Sequence, residues 1–420
     1  MATKNTIEFV GKLFTYKESD KFKPYEEKVY DSGWVNRTAK FGIACGNDRH
    51  MMVIKGGKWQ DDAKMNVKTY TKPMYDDNNN LVAKSESITI PWDERFKKEQ
   101  IMKVAEYRKF IVDLEVPERR RKLESAVEKF KDGSMTDEEM SALGVNTLEE
   151  AEKAVKDSHA KRKEFITEWD FAEYMNKVAS NEKMKDKIVK IRGEYHIEYN
   201  VKTQQFYRSF IPSRVYLCKD NEPTKSEATF DFYFNKDAVD DNDFAEKKKY
   251  HINGFLRFYD STYEDNKGEF GCPIMLTIDG NQTYKNSKGD TVDGEKFAKG
   301  MARKFEFTDT DNEFRQIGLK VNVLDGAQTV AFDESMLTDE QREDIELGLV
   351  TLEDIKKEMG VNIYGDRVTD IVIMGIAQGY SKGAIDSAFV ASDFLAPHPA
   401  GETEDEADDD VIFNEDDIDI

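Results

Sequence analysis

With 420 residues the chain is long enough for two or three domains, because one hydrophobic core rarely grows past roughly 250–300 residues. Charged side chains make up 35% of it and apolar ones 39%, which excludes a membrane-embedded or fibrous chain and predicts a soluble, globular, highly charged one. Sixty-two basic against 84 acidic residues give a formal charge of −22, so any polyanion must be held by a local basic surface working against the overall field.

The N-terminus has no apolar signal core, and the longest apolar run, Ile371 to Ala377, is seven residues against the ~20 needed to span a bilayer. A cytoplasmic protein with no membrane segment is expected. Cys45, Cys218 and Cys272 are odd in number and far apart, which fits neither a disulfide framework nor a zinc cluster and predicts reduced thiols.

In chain order, the first sixty residues predict strands. Ile7, Phe9, Gly11 and Leu13 alternate with Val10, Lys12, Phe14 and Tyr16, and a second alternating run carries Ala39, Phe41, Ile43 and Cys45. Gly46-Asn47-Asp48 turns the chain into a third strand from His50 to Lys55. From about residue 93 to 185 the pattern becomes helical, with Pro117 at a start, Gly133 at a stop and a capping box at Thr147. Strands resume at Ile188–Gly193, Tyr195–Tyr199 and Gln205–Leu217.

A second copy of this order is expected downstream. His251–Tyr259 aligns without gaps on Glu8–Tyr16, and Arg315–Phe332 on Arg37–Ile54, with Asp325-Gly326 falling on the turn at Asn47-Asp48. The helical signals at Thr136, Leu143-Gly144 and Thr147 recur at Thr338, Leu347-Gly348 and Thr351, and Val189–Gly193 answers Ile371–Gly375. Strand, hairpin, helices and two more strands is the element order of the five-stranded OB barrel, and a glycine inside the first strand suits the bend such a barrel needs. The expected fold is therefore mainly β with helical insertions (α+β): two tandem OB-like barrels over residues 1–222 and 223–396, with insertions near 93–185 and 336–360, and a disordered acidic tail from 397 to 420.

Alternation sends Lys12, Phe14 and Tyr16 outward if Phe9, Gly11 and Leu13 face the core, and Phe255, Arg257 and Tyr259 outward in the second copy. Lys40, Lys190, Arg192, Tyr207, Arg208 and Arg214 add cations and rings to the first. Aromatics interleaved with cations suit single-stranded nucleic acid, whose bases stack on rings while Lys and Arg follow the phosphates.

Enzyme signatures are sparse, and no catalytic residue, metal ligand or cofactor is assigned. A P-loop, HExxH and CxxC are lacking, and the five histidines are dispersed. Gly379-Tyr-Ser381-Lys-Gly383 matches GxSxG but has only His398 downstream, His196-Ile-Glu198 has no completing cysteine pair, and Asp237, Asp240, Asp241 and Asp243 read as a charged loop.

Residues 401–420 hold eleven carboxylates and no Lys or Arg, which predicts disorder. Apolar residues nonetheless punctuate the acids, as Asp408-Asp409-Asp410-Val411-Ile412-Phe413 and as Ile418-Asp419-Ile420. With the strand pattern of residues 1–60 and the basic, aromatic stretch 187–217, this tail resembles the bacteriophage-type replicative single-stranded DNA-binding proteins, OB-fold proteins with an acidic C-terminal tail. The resemblance implies non-sequence-specific binding of single-stranded DNA in replication, recombination or repair, with the tail docking partner proteins. The chain departs from the bacterial pattern in carrying seven residues after Phe413, so the docking element is either the inner Val-Ile-Phe or the terminal Ile-Asp-Ile. A structural or adaptor protein with protein-binding β-domains is the alternative.

Overall fold

A computed structural model describes residues 5–396, apart from 62–64, 77–79, 201–202, 261–267, 286–288, 308–312, 330–336, 352–354, 356–363 and 381–382. The acidic tail, Ser381 and His398 lie outside the described residues. The first half contains β1 (Thr6–Phe14), β2 (Tyr25–Val29), β3 (Trp34–Cys45) and β4 (Asp48–Trp59), then an arm of β5 (Asn66–Tyr70), β6 (Met74–Tyr75), β7 (Leu81–Ala83) and β8 (Ser87–Pro91). There follow α1 (Lys98–Lys103), β9 (Phe110–Asp113), α2 (Pro117–Asp132), α3 (Asp137–Leu143), α4 (Leu148–Ala160), β10 (Arg162–Phe165), α5 (Glu168–Ala179), β11 (Ile188–Asn200) and β12 (Gln205–Leu217). The second half contains β13 (Lys225–Phe234), β14 (Val239–Asp240), α6 (Phe244–Lys247), β15 (Lys249–Tyr259), β16 (Glu269–Asp279), β17 (Tyr284–Lys285), β18 (Thr291–Val292) and α7 (Gly294–Ala302). It ends with β19 (Arg315–Thr329), α8 (Asp339–Glu346), β20 (Tyr364–Ile376) and β21 (Ile385–Asp386).

The protein is mainly β, built on one large mixed sheet. Its pairings close on themselves twice. In the first circuit β1 pairs β3, β3 pairs β4, β4 meets β12 in parallel, β12 pairs β11, and β11 returns to β1. In the second, β13 meets β15, β15 pairs β16, β16 meets β20 in parallel, β20 pairs β19, and β19 returns to β13. One edge of β1 serves two neighbours, β13 over Thr6–Val10 and then β3 over Lys12–Phe14. Gly11 stands at the changeover, where a Cβ would lie 2.0 Å from the Ala44 carbonyl oxygen, so the close approach to β3 requires glycine.

The alternation of β1 and β3 buries Ile7, Phe9, Leu13, Ala39, Phe41 and Ile43 in a core continuous through both circuits, reaching Phe230, Phe232, Leu256, Leu276, Leu319 and Ile373. Tyr195 and Phe230 bridge the halves edge to face at 4.8 Å. Each circuit is covered by one helix: α5 inserts Phe171, Ala172 and Met175, and α7 inserts Ala298, Met301 and Ala302. Helices α2 to α4 start and stop as the sequence dictates. Pro117 opens α2, Gly133 closes it at φ 73°, and Thr136 and Glu139 cap α3 reciprocally, whereas the capping box expected at Thr147 forms only by half: its side chain accepts from the Glu150 amide, but the Glu150 carboxylate accepts from the Asn146 amide. They enclose a small separate core around Leu123, Val145 and Ala151.

The repeat alignment is corrected. His251–Tyr259 lies in β15, the second strand of its circuit, whereas the strand that takes the place of β1 is β13. Asp325 and Gly326 are not a turn: β19 runs straight through them, pairing Asp325 with Thr369 and Gly326 with Val368. Val189–Gly193 lies in β11 and Ile371–Gly375 in β20, which hold different positions in their circuits. The helical signals also belong to different places, α3 and α4 between β4 and β11 but α8 between β19 and β20. Thr338 and Gln341 do form a capping box like that of Thr136. The physical reason is that alternation and capping report local structure, and every half-buried strand or capped helix has the same signature.

Candidate nucleic-acid interface

Side chains directly opposite on paired strands share a face, and the register aligns the outer face of β12, β11, β1, β13 and β19 into one platform running from one circuit to the other. One row is Arg214, Arg192, Glu8, Glu227 and Asn322; the next is Ile211, Glu194, Thr6, Thr229 and Lys320. This platform lines a groove of about 1560 Å³ whose other walls come from β4, the arm and the start of α5. All four tryptophans of the chain, Trp34, Trp59, Trp92 and Trp169, line it.

These rings divide into two kinds. Trp92 and Trp169 are buried with Val35, Val67, Ile90 and Val104, and each carries a guanidinium over its face, Arg95 at 3.9 Å and Arg37 at 3.7 Å. Ion pairs hold those arginines, Arg95 to Asp170 at 2.7 Å and Arg37 to Glu27 at 2.7 Å. Trp34 and Trp59 are half-buried and meet edge to face at 5.2 Å. The Trp34 ring lies over Gly57, where a Cβ would come within 1.9 Å of it. Tyr107 is 62% exposed at the rim, and Arg108 reaches over both Tyr107 and Tyr70.

Eight cations line the groove, Lys55, Lys68, Arg108, Lys109, Arg192, Arg214, Lys225 and Lys320, against five carboxylates. Glu8 sits between Arg192 at 2.6 Å and Lys225 at 2.9 Å. Partial burial opposes its ionisation, but the hydrogen bonds and charges of Lys225 and Arg192 outweigh that and hold the carboxyl below its usual range. Burial pushes the Glu168 carboxyl up, against weaker opposing pulls from a backbone hydrogen bond and from Arg108. Lys55 is paired with Glu198 at 3.1 Å. The groove thus combines three more cations than carboxylates, one of the cations, Lys109, being buried against Glu164 at 2.8 Å, with half-exposed rings in an acidic protein.

Of the residues expected from sequence, Arg192 and Arg214 lie in the groove and Lys190 borders it in an adjoining cleft. Lys12, Phe14, Tyr16 and Lys40 lie elsewhere: Lys12 pairs with Asp186 at 3.5 Å, while Phe14, Tyr16 and Phe22 form an edge-to-face chain with Arg49 over Phe14 and Lys40 over Phe22. The Tyr207 hydroxyl bonds Gln205 at 2.9 Å. Arg208 is drawn to the junction of the two circuits by Asp325, 1% exposed, at 2.8 Å. The outward stripe of the second copy is corrected: Phe255 packs against Phe314 and Phe394, and Arg257 is buried beneath Phe389 and paired with Glu269. Only Tyr259 of that set is exposed, at 54%. The chain after β20 folds back over that face, which strand alternation does not report.

Next to Arg208 a polar cluster crosses the junction. His50 is fully buried, its Nε2 2.6 Å from the Ser226 hydroxyl, and the Asp325 amide donates to Asp48 at 2.9 Å. Burial pushes the imidazole of His50 down to about 3 and the Asp48 carboxyl up. Cys45 and Cys272 are buried thiols, each pushed up to about 12 by burial, and Cys218 is half-buried. Asp243 is engaged by His251 and Lys247, and among the described residues no cluster of His, Cys, Asp and Glu is arranged to hold a metal ion. Among the described residues no helix is long and apolar enough to cross a membrane.

Among the groove residues that sequence reading missed are Trp34, Trp59, Tyr107, Arg108, Lys55, Lys68, Lys225 and Lys320. No family model and no curated protein matches the chain.

Proposed function

We propose that this is a non-sequence-specific single-stranded DNA-binding protein of replication, recombination or repair, binding rather than catalytic, which holds the strand in the groove between the sheet platform and the arm. The observation that carries the reading is the concentration of eight cations and the half-exposed rings of Trp34, Trp59 and Tyr107 in one groove of a chain with charge −22. Unstacked bases offer faces to such rings, whereas duplex keeps them stacked inside. Each circuit also has the OB order, first strand to second, second to third, third in parallel to fifth, fifth to fourth and fourth to first, with a helix between third and fourth. On this reading β1, β3, β4, β11 and β12 form one OB barrel within residues 1–222, and β13, β15, β16, β19 and β20 a second within 223–396. The tail from 397 to 420 recruits replication or recombination proteins through Val411-Ile412-Phe413 or Ile418-Asp419-Ile420.

The test is a titration with a thymidine oligomer and with duplex of equal length, following tryptophan fluorescence. All four tryptophans line the groove, so single strand should quench strongly, duplex weakly, with affinity falling as salt rises. Equal responses to both, or none, would reject the reading. The adaptor alternative draws on the hairpin β6–β7, whose Met74, Tyr75, Leu81 and Val82 are 62%, 56%, 50% and 65% exposed. It predicts no response to either nucleic acid.

A further inference from the structure

Beside the groove lies a second cleft, of about 570 Å³, between the start of α2, β11 and the end of β12. Arg192 lines both, so the two adjoin at that side chain. The cleft adds Lys190, Arg121 and Lys219, and its two carboxylates are Glu118 and Glu222. Glu118 is occupied by Lys219 and, at 3.1 Å, by Lys122. Among the described residues neither Arg121 nor Lys190 has an ion-pair partner, and both side chains reach solvent. Tyr216 stands directly opposite Lys190, one row along from the facing pair Arg192 and Arg214, so the platform continues into the cleft without a change of face.

We infer that this cleft is a second phosphate-binding station for the same strand, entered past Arg192, with Arg121 and Lys190 on the phosphodiester backbone and Tyr216 beside a base. The inference rests on the groove binding single-stranded DNA. It assigns contacts to Arg121, Tyr216 and Lys219 and makes the occluded strand longer than the groove alone would hold. The chemistry is of the groove's kind, cations beside a half-exposed ring, with Arg121 and Lys190 lacking, among the described residues, the ion pairs that hold Arg192, Lys225 and Lys55 in the groove.

The experiment compares full-length protein with R121E/K190E, using a thymidine oligomer at the short end of the roughly 4–16 nucleotides one OB fold occludes and another about twice the upper end. The short oligomer should bind both proteins within twofold. The long one should bind the variant at least tenfold more weakly, with the double-logarithmic salt slope reduced by about 1.4, or about 0.7 for each phosphate no longer neutralised. Should the double variant be poorly folded by circular dichroism, K190E alone should lose about half that slope. An unchanged long-oligomer affinity, or an equal loss for both lengths, would overturn the second station while leaving the groove reading intact. Failure of wild-type protein to bind either oligomer would overturn the groove reading itself. Titration with inorganic pyrophosphate separates the other source of the same chemistry: saturable binding lost in the variant, with long-oligomer affinity unchanged, would make the cleft a site for a free phosphate compound and overturn the inference.

Discussion

Tyr107 offers the cleanest perturbation of the groove because its ring does little for the fold. It is 62% exposed, its hydroxyl lies 3.4 Å from the Ser85 hydroxyl, and the neighbouring Arg108 also covers Tyr70 at 4.9 Å, so the guanidinium keeps a partner when the tyrosine is removed. Truncation to alanine should therefore shift stability by less than about 0.5 kcal/mol. A base stacked on an aromatic side chain contributes about 1–3 kcal/mol, and 1.4 kcal/mol is tenfold in Kd, so Tyr107→Ala should weaken thymidine-oligomer binding by about 5- to 150-fold. Tyr107→Phe keeps the ring and should bind like wild type. The assay is tryptophan quenching at fixed ionic strength, with Tm measured in parallel. An alanine variant that binds within twofold of wild type at unchanged Tm would refute stacking at the rim.

Three further outcomes follow from the charge pattern. Glu8→Gln removes a carboxylate that Arg192 and Lys225 share, so oligomer affinity should rise at low salt and the salt slope should steepen by up to about 1.4; a weaker-binding variant would mean that Glu8 positions the two cations rather than competing for them. Arg208→Ala removes the guanidinium that pairs with buried Asp325 and should destabilise the fold by about 3–5 kcal/mol in urea titration, with oligomer affinity unchanged where the protein is still folded. His50 stays neutral in the fold down to about pH 3, whereas the unfolded chain takes up its proton near 6.5, so stability should fall by about 1.4 kcal/mol for each pH unit below 6.5. The Asp325 carboxylate and the Arg208 guanidinium act on the ring in opposite directions, and the raised Asp48 carboxyl contributes in the sense opposite to His50. His50→Gln should flatten Tm between pH 7 and pH 5, and an equally steep slope in the variant would assign the effect to another group.

Strand existence was legible because each relevant segment buries one face: the alternation of Ile7, Phe9 and Leu13 against Glu8 and Lys12 is written in the residues, and the structure buries the first set in the core. Strand order in the second half was not legible. The run at Arg315–Phe332 carries Asp325-Gly326, which has turn chemistry, yet Asp325 is held inside the sheet by Arg208 from the first half, and a Cβ on Gly326 would lie 2.1 Å from the Asn47 carbonyl oxygen. Those two residues are chosen for a long-range junction, and long-range contacts leave no local period. The same limit explains the site. Arg192 is legible because it alternates with core residues on its strand, and Arg214 because it stands in a stretch rich in cations and rings. Trp34 and Trp59 face each other across the β3–β4 hairpin, but Tyr107 and Lys320 come from distant stretches that join them only when the circuits close. The signal available was compositional, four tryptophans in the first 170 residues of a strongly charged chain.

The pairing of β1 with β13 has a mechanical consequence for binding. Five backbone-paired positions, Thr6 to Val10 against Lys225 to Thr229, join the two circuits, and the shared core and the buried Arg208–Asp325 pair cross the same boundary. A linker between independent domains would let the two halves of a strand-binding surface reorient, at an entropic cost when the ligand fixes them. Here the cations on β12, β11, β13 and β19 stand on one continuous sheet face, so Arg214, Arg192, Lys225 and Lys320 keep their mutual spacing whether or not a strand is bound. That preorganisation matters more in this protein than in a basic one. With a net charge of −22 the long-range field repels a polyanion, and salt screens that field over about 8–10 Å while leaving direct contacts less affected. On the proposed reading, capture depends on contacts already aligned at the platform, and loosening the junction should slow association even where every groove side chain is intact.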